Sequence, residues 1–180
     1  MSVNQNFANV FENMQKIVED RQNGIRMTDS VIVFDDHLNP LSVGYLCDVE
    51  LEGITFSSAD HAIQYLRAMA FQDRGAMAQI ARSPSAKSAR AVQINRFNNN
   101  MWRRYEHQSM QLVTGAKIKQ NKSVREALKM TGSKRLVYAS KHDMYFGCGL
   151  NMVDDNILYP QFWSGQNKLG QILEQYRKSV

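Results

Sequence analysis

The chain has 180 residues, 43% of them hydrophobic and 22% charged, a composition that suits a folded domain with a sizeable core and excludes a disordered chain. Its 22 Lys and Arg against 17 Asp and Glu leave a formal charge of +5, a bias toward anionic partners that selects no particular one. No apolar stretch approaches the ~20 residues that span a bilayer, two cysteines are too few for a disulfide scaffold, and no repeat or sustained heptad is present, so the expectation is neither a membrane protein, a stapled miniprotein, a solenoid nor a coiled coil.

Residues 4–22 carry Phe7, Val10, Phe11, Met14, Ile17 and Val18 at the spacing of an amphipathic helix, stopped by Asn23-Gly24. Residues 1–25 are therefore read as a helical extension and residues 26–180 as the domain itself. The same terminus lacks a basic start, a continuous apolar run and a cleavage site, so no secretory leader is expected and the cytoplasm is the expected compartment. Ser30–Phe34 reads as a strand, and Tyr45–Glu50 as another that turns at Glu52-Gly53 into Ile54–Phe56. Ser57-Ser58-Ala59-Asp60 has the form of a capping box and opens a helix with the apolar stripe Ala59, Ile63, Leu66 and Ala70. Helical pattern continues over Ala76–Ala81, and Pro84 sits where a first-turn proline would open a helix around Ala86–Ile94. Asn98-Asn99-Asn100 breaks the chain before one long helix to about Val113. Residues 122–130 predict a further helix ended by Thr131-Gly132, Leu136–Ala139 a strand, and Leu169–Arg177 the last helix. Helices with a minor sheet make the fold class α+β.

Neither Cys47 and Cys148 nor the four histidines have metal-ligand spacing, and neither dinucleotide nor P-loop glycine motifs occur, so free thiols and no metal are expected. Four segments carry polar chemistry. Asp60, Gln64 and Arg67 lie at i, i+4, i+7 and line one ridge beside His61 at a helix start. Asp60 there either caps the helix or is an ionised carboxylate supported by the helix N-terminus. Lys87 and Arg90, three apart, form either a solvated basic face or a phosphate grip. Trp102, followed by Arg103-Arg104, is either core or a stacking platform. Asp143-Met144-Tyr145-Phe146-Gly147-Cys148-Gly149 mixes an acid, aromatics and glycines that permit close backbone approach; it is either a ligand loop or a structural turn.

Taken in order, the motifs resemble one family. They run Gly53-Ile54-Thr55-Phe56-Ser57-Ser58-Ala59-Asp60-His61-x-x-Gln64, then Ala86-Lys87-x-x-Arg90, Trp102 and Met110, then Asn121, Leu128 and Thr131-Gly132. Leu136-Val137-x-x-Ser140-x-x-Asp143-x-x-x-Gly147-x-Gly149 follows, and Trp163-x-Gly165-x-Asn167-x-Leu169-Gly170-x-x-Leu173-x-x-x-Arg177 closes the chain. The pattern resembles the NADAR family across about residues 30–178, most specifically in the DMYFGCG and WSGQNKLG segments. The resemblance implies a mainly helical α+β single domain with a small sheet, and cleavage of N-glycosidic bonds in ribosylated compounds, either phosphorylated intermediates of riboflavin synthesis or ADP-ribose on guanine. It implies Asp60, Trp102 and Asp143 as catalytic residues. The residues further read as ligand-binding are His61, Gln64, Arg67, Lys87, Arg90, Gly147, Gly149, Trp163 and Asn167. No cofactor is implied. The partner would be a phosphorylated ribose or ADP-ribose-containing small molecule, or an ADP-ribosylated guanine in nucleic acid, with no membrane.

The chain departs from the family where polar chemistry is concentrated. Asp60 stands where Glu is usual, a methylene shorter. Arg67 stands where Lys is usual, and a guanidinium does not form the Schiff base open to a lysine amine. Met101, Phe146, Val43 and Tyr138 replace the usual Asp, Trp, Asn and acidic residue. Two functions are therefore carried forward: an N-glycosidase of ribosylated, phosphorylated nucleotides, and a catalytically impaired module that binds or senses ADP-ribose-like ligands.

Overall fold

A computed structural model describes residues 25–35 and 37–180. The helix expected over 4–22 lies outside them. In chain order the elements are β1 (Ile25–Met27), β2 (Val31–Phe34), β3 (Val49–Leu51), β4 (Ile54–Phe56), α1 (Ala59–Ala70), α2 (Arg74–Ala81), α3 (Ala86–Arg90), α4 (Asn99–Trp102), α5 (Glu106–Gln120), α6 (Lys122–Met130), β5 (Arg135–Tyr138) and α7 (Lys168–Arg177), with 3-10 turns at Asp155–Leu158 and Pro160–Phe162. The class is α+β, as the sequence predicts. Internal contacts group the chain into two units: Val43–Asn121, and the described residues up to Ser42 together with Lys122–Val180.

In the latter unit, β2 is the middle strand, antiparallel to β1 (Ile25↔Phe34) and parallel to β5 (Val31↔Arg135, Phe34↔Tyr138). All four β2 residues are buried, as expected of a strand covered on both faces. Val31, Val33 and Val137 pack with Ala139, Cys148, Met152 and Ile157 on one face. The strand period of two turns Ile32, Phe34 and Leu136 to the other, and α7 packs against β5. The free edge of β5 is closed by side chains. Asn167 accepts from Tyr138 N–H at 2.9 Å and donates to Leu136 C=O at 2.8 Å, while Glu174 Oε1 accepts from Leu136 N–H at 2.8 Å. β1 has only three residues and no alternation to read, and the sequence reading missed it.

In the unit Val43–Asn121, a β3–β4 hairpin turns at Glu52-Gly53, both with positive φ (52° and 77°), the geometry of a tight type I′ connection. Phe56, Ala62, Tyr65, Ala68, Ile80, Ala89 and Val113 form the core, with α1 packed against α2, α3 and α5. Four expected boundaries move. The strand expected over Tyr45–Glu50 begins only at Val49; before it, Cys47 N–H still bonds the Ser57 carbonyl at 3.1 Å, and Asn121 Nδ2 holds the Asp48 carbonyl at 2.8 Å on the opposite edge. The cap of α1 is Ser58, accepting from His61 N–H, one residue later than the capping box predicts. The helix expected over Ala86–Ile94 is only Ala86–Arg90, capped by a Ser85–Ser88 box, with Pro84 before the cap. The long helix expected to Val113 is two. α4 closes in a turn whose N–H groups reach back three residues (Tyr105 to Trp102 C=O, 2.8 Å), and α5 then runs to Gln120 on the buried set Met110, Val113, Thr114, Lys117, Ile118. Thr114 and Lys117 are polar but buried, which hid that period in the sequence. No described helix is long and apolar enough to cross a membrane.

Candidate active site

The polar ridge read from the sequence exists, but it faces inward. With α2, α3 and α5 around it, α1 buries Asp60, His61 and Gln64 as well as Ala62, Tyr65 and Ala68. His61 sets the helix start: its Nε2 bonds the Ile80 carbonyl at 2.8 Å, its Nδ1 meets Ser57 N–H and Oγ at 3.4 and 3.2 Å, and its ring meets Phe56 edge-on. Nε2 facing a carbonyl must carry the proton, leaving Nδ1 to accept. Both nitrogens are thus occupied by the scaffold.

Asp60 is 6% exposed and lies in the first turn of α1. It does not cap the helix. Its Oδ1 accepts from Gln64 Nε2 at 3.1 Å and its Oδ2 from Arg90 Nη2. Gln64 Oε1 in turn accepts from Arg67 Nη1 at 3.2 Å. The spacing 60, 64, 67 therefore becomes a hydrogen-bonded line, joined at its first member by Arg90 from α3. The Arg67 guanidinium lies 4.4 Å from the Phe97 ring centroid and 5.8 Å from that of Trp102, within the range of cation–π attraction. Phe97 is backed by Phe71 at 5.1 Å. Burial lowers the Arg67 pKa from its usual range, yet a guanidinium remains a cation at neutral pH. Its Nε is buried with no hydrogen-bond partner among the described residues, a cost of about 1–3 kcal/mol when left unmet.

Gln64, Arg67, Arg90, Gln93 and Phe97 help to line a cavity of about 160 Å³, with Asp60 bonded directly behind two of them. That volume is below the ~300–1,000 Å³ of pockets for drug-sized ligands, so within this unit there is room for one small chemical group. Phe97 is the residue that sequence reasoning missed; its one signal is an isolated aromatic in the polar loop before Asn98. That loop is pinned by Asp73, whose carboxylate accepts from Ala76 and Asn95 N–H at 3.0 and 2.8 Å and is held below the usual carboxylate range by those bonds. Trp102 is half-buried beside Arg67 and is not core. Lys87 is exposed on α3 and does not line the cavity.

Asp143, Gly147, Gly149, Trp163 and Asn167 all lie in the other unit. Asp143 Oδ1 accepts from Tyr145 and Phe146 N–H at 3.0 and 2.8 Å, tying a turn. The glycines serve backbone packing. A Cβ on Gly147 would meet the Asp143 carbonyl at 2.7 Å, and one on Gly165 would meet the Gly147 carbonyl at 2.4 Å. These close approaches let segment 144–149 bond segment 165–169 through Gly165 N–H to Cys148 C=O and Asn167 N–H to Gly147 C=O, both 2.9 Å. Trp163 packs on the valine face and donates to the Ile157 carbonyl at 2.8 Å. No group of three or more His, Cys, Asp or Glu placed to hold a metal occurs among the described residues.

A family model described as the NADAR domain matches residues 13–180. Among curated proteins, the chain is similar to Protein irg-1 of Caenorhabditis elegans, 24% identical over 131 residues, covering 71% of this chain and 62% of that protein. It is also similar to N-glycosidase YbiA of Shigella boydii serotype 4, 26% identical over 159 residues, covering 86% of this chain and 91% of that one. The chain thus spans about three-fifths of the nematode protein's length. The NMR structure of the E. coli protein YbiA has the same fold, with a TM-score of 0.66 over 90% of this chain and 91% of that chain at 23% identity.

Proposed function

The chain belongs to the NADAR family, and we propose on that premise that it is an N-glycosidase that hydrolyses the bond between a ribosyl carbon and a nitrogen in a phosphorylated, nucleotide-type compound. The observation that carries this reading is the junction on α1: a buried carboxylate, Asp60, joined through Gln64 to a guanidinium, Arg67, and bonded by Arg90, with Gln64, Arg67 and Arg90 all lining a small cavity. Breaking an N-glycosidic bond builds positive charge on the sugar, and a carboxylate held in a water-poor pocket stabilises that charge and takes a proton from the attacking water. Arg67 and Arg90 present donors to phosphate oxygens, and Phe97 and Trp102 offer ring faces to a base or sugar. Phosphate competing for Arg90 would release Asp60 Oδ2 for the sugar. Asp143 enters through the family pattern alone.

A second reading, a binding module without turnover, draws on one feature: both Asp60 oxygens already accept hydrogen bonds, and Arg67 stands where a lysine amine is usual. The two separate in one assay. The protein is incubated with ADP-ribosylated guanine nucleotides, ADP-ribose and phosphorylated ribosylamines, and released base and thermal stabilisation are both measured. The enzyme reading expects base release that falls about 100-fold in Asp60→Asn while ligand stabilisation persists, with a comparable fall in Asp143→Asn. The module reading expects stabilisation without release, and some release gained in Arg67→Lys with Asp60→Glu. A protein that shows neither release nor stabilisation across the panel sinks both readings.

A further inference from the structure

The sheet unit carries a second cavity, of about 630 Å³, at the N-terminal end of the parallel β2–β5 pair. Its volume lies within the range of small-molecule sites. We propose that it binds a small organic phosphate that also bears hydroxyl groups.

Two anchored charges make this a built site. Arg177 uses one nitrogen, Nη1, to donate to Thr131 Oγ1 and the Lys134 carbonyl at 2.8 and 2.7 Å. Those bonds fix the guanidinium plane and leave its other N–H groups for a ligand. Glu174, three residues earlier on α7, is fixed by Leu136 N–H on Oε1 and keeps Oε2. A carboxylate and a guanidinium at i, i+3 ordinarily meet each other. Here they do not: Glu174 accepts from Leu136 N–H, and Arg177 donates to Thr131 Oγ1 and the Lys134 carbonyl. Each is tied to the 131–136 segment instead, and both line the cavity. Arg135, an exposed residue of β5, supplies a second cation, with the Ser30 and Ser133 hydroxyls beside it and Tyr159 on the wall.

The ligand class follows from the donor count. Two guanidinium groups and two hydroxyls offer more donors than the two oxygens of a carboxylate accept, and they suit the three terminal oxygens of a phosphate monoester. Glu174 can only accept, so the part of the ligand near it must donate, as a hydroxyl does. The Tyr159 ring provides an apolar wall for a carbon skeleton.

Isotope-labelled full-length protein is titrated with glycerol 3-phosphate, inorganic phosphate and glycerol, following backbone amide resonances. The expected result is saturable shifts at Ser30, Ser133 and Arg135, with glycerol 3-phosphate about tenfold tighter than inorganic phosphate and glycerol inert. Arg135→Gln and, independently, Ser133→Glu each weaken binding about tenfold at unchanged melting temperature. No saturable shift by about 20 mM glycerol 3-phosphate, shifts confined to residues 60–97, or wild-type affinity in both variants overturns the site. Equal affinity for inorganic phosphate and glycerol 3-phosphate overturns the ligand class. The glycosidase assay is a separate readout, so either proposal can fail alone.

Discussion

Replacing Asn167 with alanine is expected to cost about 4 kcal/mol of folding stability, read as a lower denaturant midpoint with unchanged slope. The residue is 3% exposed, and its amide meets both backbone groups on the open edge of β5, Tyr138 N–H and Leu136 C=O. Alanine leaves both without a partner, at about 1–3 kcal/mol each. It must also adopt the left-handed backbone (φ 51°) that Asn167 holds, a further ~1 kcal/mol for a residue without a local polar side chain. Asn167→Gly removes only this last part and should be about 1 kcal/mol less harmful than alanine. Gly170 next to it leaves no slack, since a Cβ there would lie 2.0 Å from the Leu136 carbonyl. An Asn167→Ala protein within about 1 kcal/mol of wild type would refute the edge-closing role. Domains of this size have roughly 5–15 kcal/mol in total, so this one side chain holds a large share of it.

Lys117→Met is expected to do the opposite and stabilise the protein at pH 7, by about 3 kcal/mol. Lys117 is 3% exposed in α5, with Nζ 5.4 Å from the Tyr45 ring centroid. Burial brings its pKa down to about 8 from 10.5, against a smaller upward pull from Cys47. The unfolded chain therefore holds a proton that the folded chain has released between about pH 8 and pH 10.5. Stability rises with pH through that window, and the full cost of the buried ammonium is present below it. The advantage of the methionine variant should thus be greatest below pH 8 and vanish by about pH 10.5. Burial also raises the Cys47 thiol and the Tyr45 phenol, which lose stability as pH climbs through their folded values. Lys117 holds the Cys47 thiol down in return, so the difference between the curves carries Lys117 together with its coupling to Cys47. A difference that does not change with pH, or a less stable variant at pH 7, would refute this account.

The α1 ridge shows how far spacing alone reaches. The positions 60, 64 and 67 put three side chains on one line, and the line is there, but periodicity reads polar residues as solvent-facing. Only the packing of α2, α3 and α5 around α1 turns that face inward and makes Asp60 a buried carboxylate. Arg90 and Phe97 come from α3 and a loop, and no local pattern places the first on Asp60 or the second beside Arg67. The family ending, Trp163 to Gly170, was legible as a motif and suggested ligand contacts. Tertiary structure gives those residues backbone work: a tryptophan on a carbonyl, an asparagine on a strand edge, glycines where chain meets chain.

The sequence by itself determined the α+β class, the family, most helices to within a few residues, and the carboxylate and cations that candidate chemistry needs. Those follow from covalent order, because periodicity, caps and motifs act over a few residues. The tertiary structure alone decided which polar residues are buried, which charges find partners and which glycines are obligatory. Burial and pairing depend on groups brought together from distant parts of the chain, as Asp60 and Arg90 are across 30 residues, and no local pattern encodes that meeting.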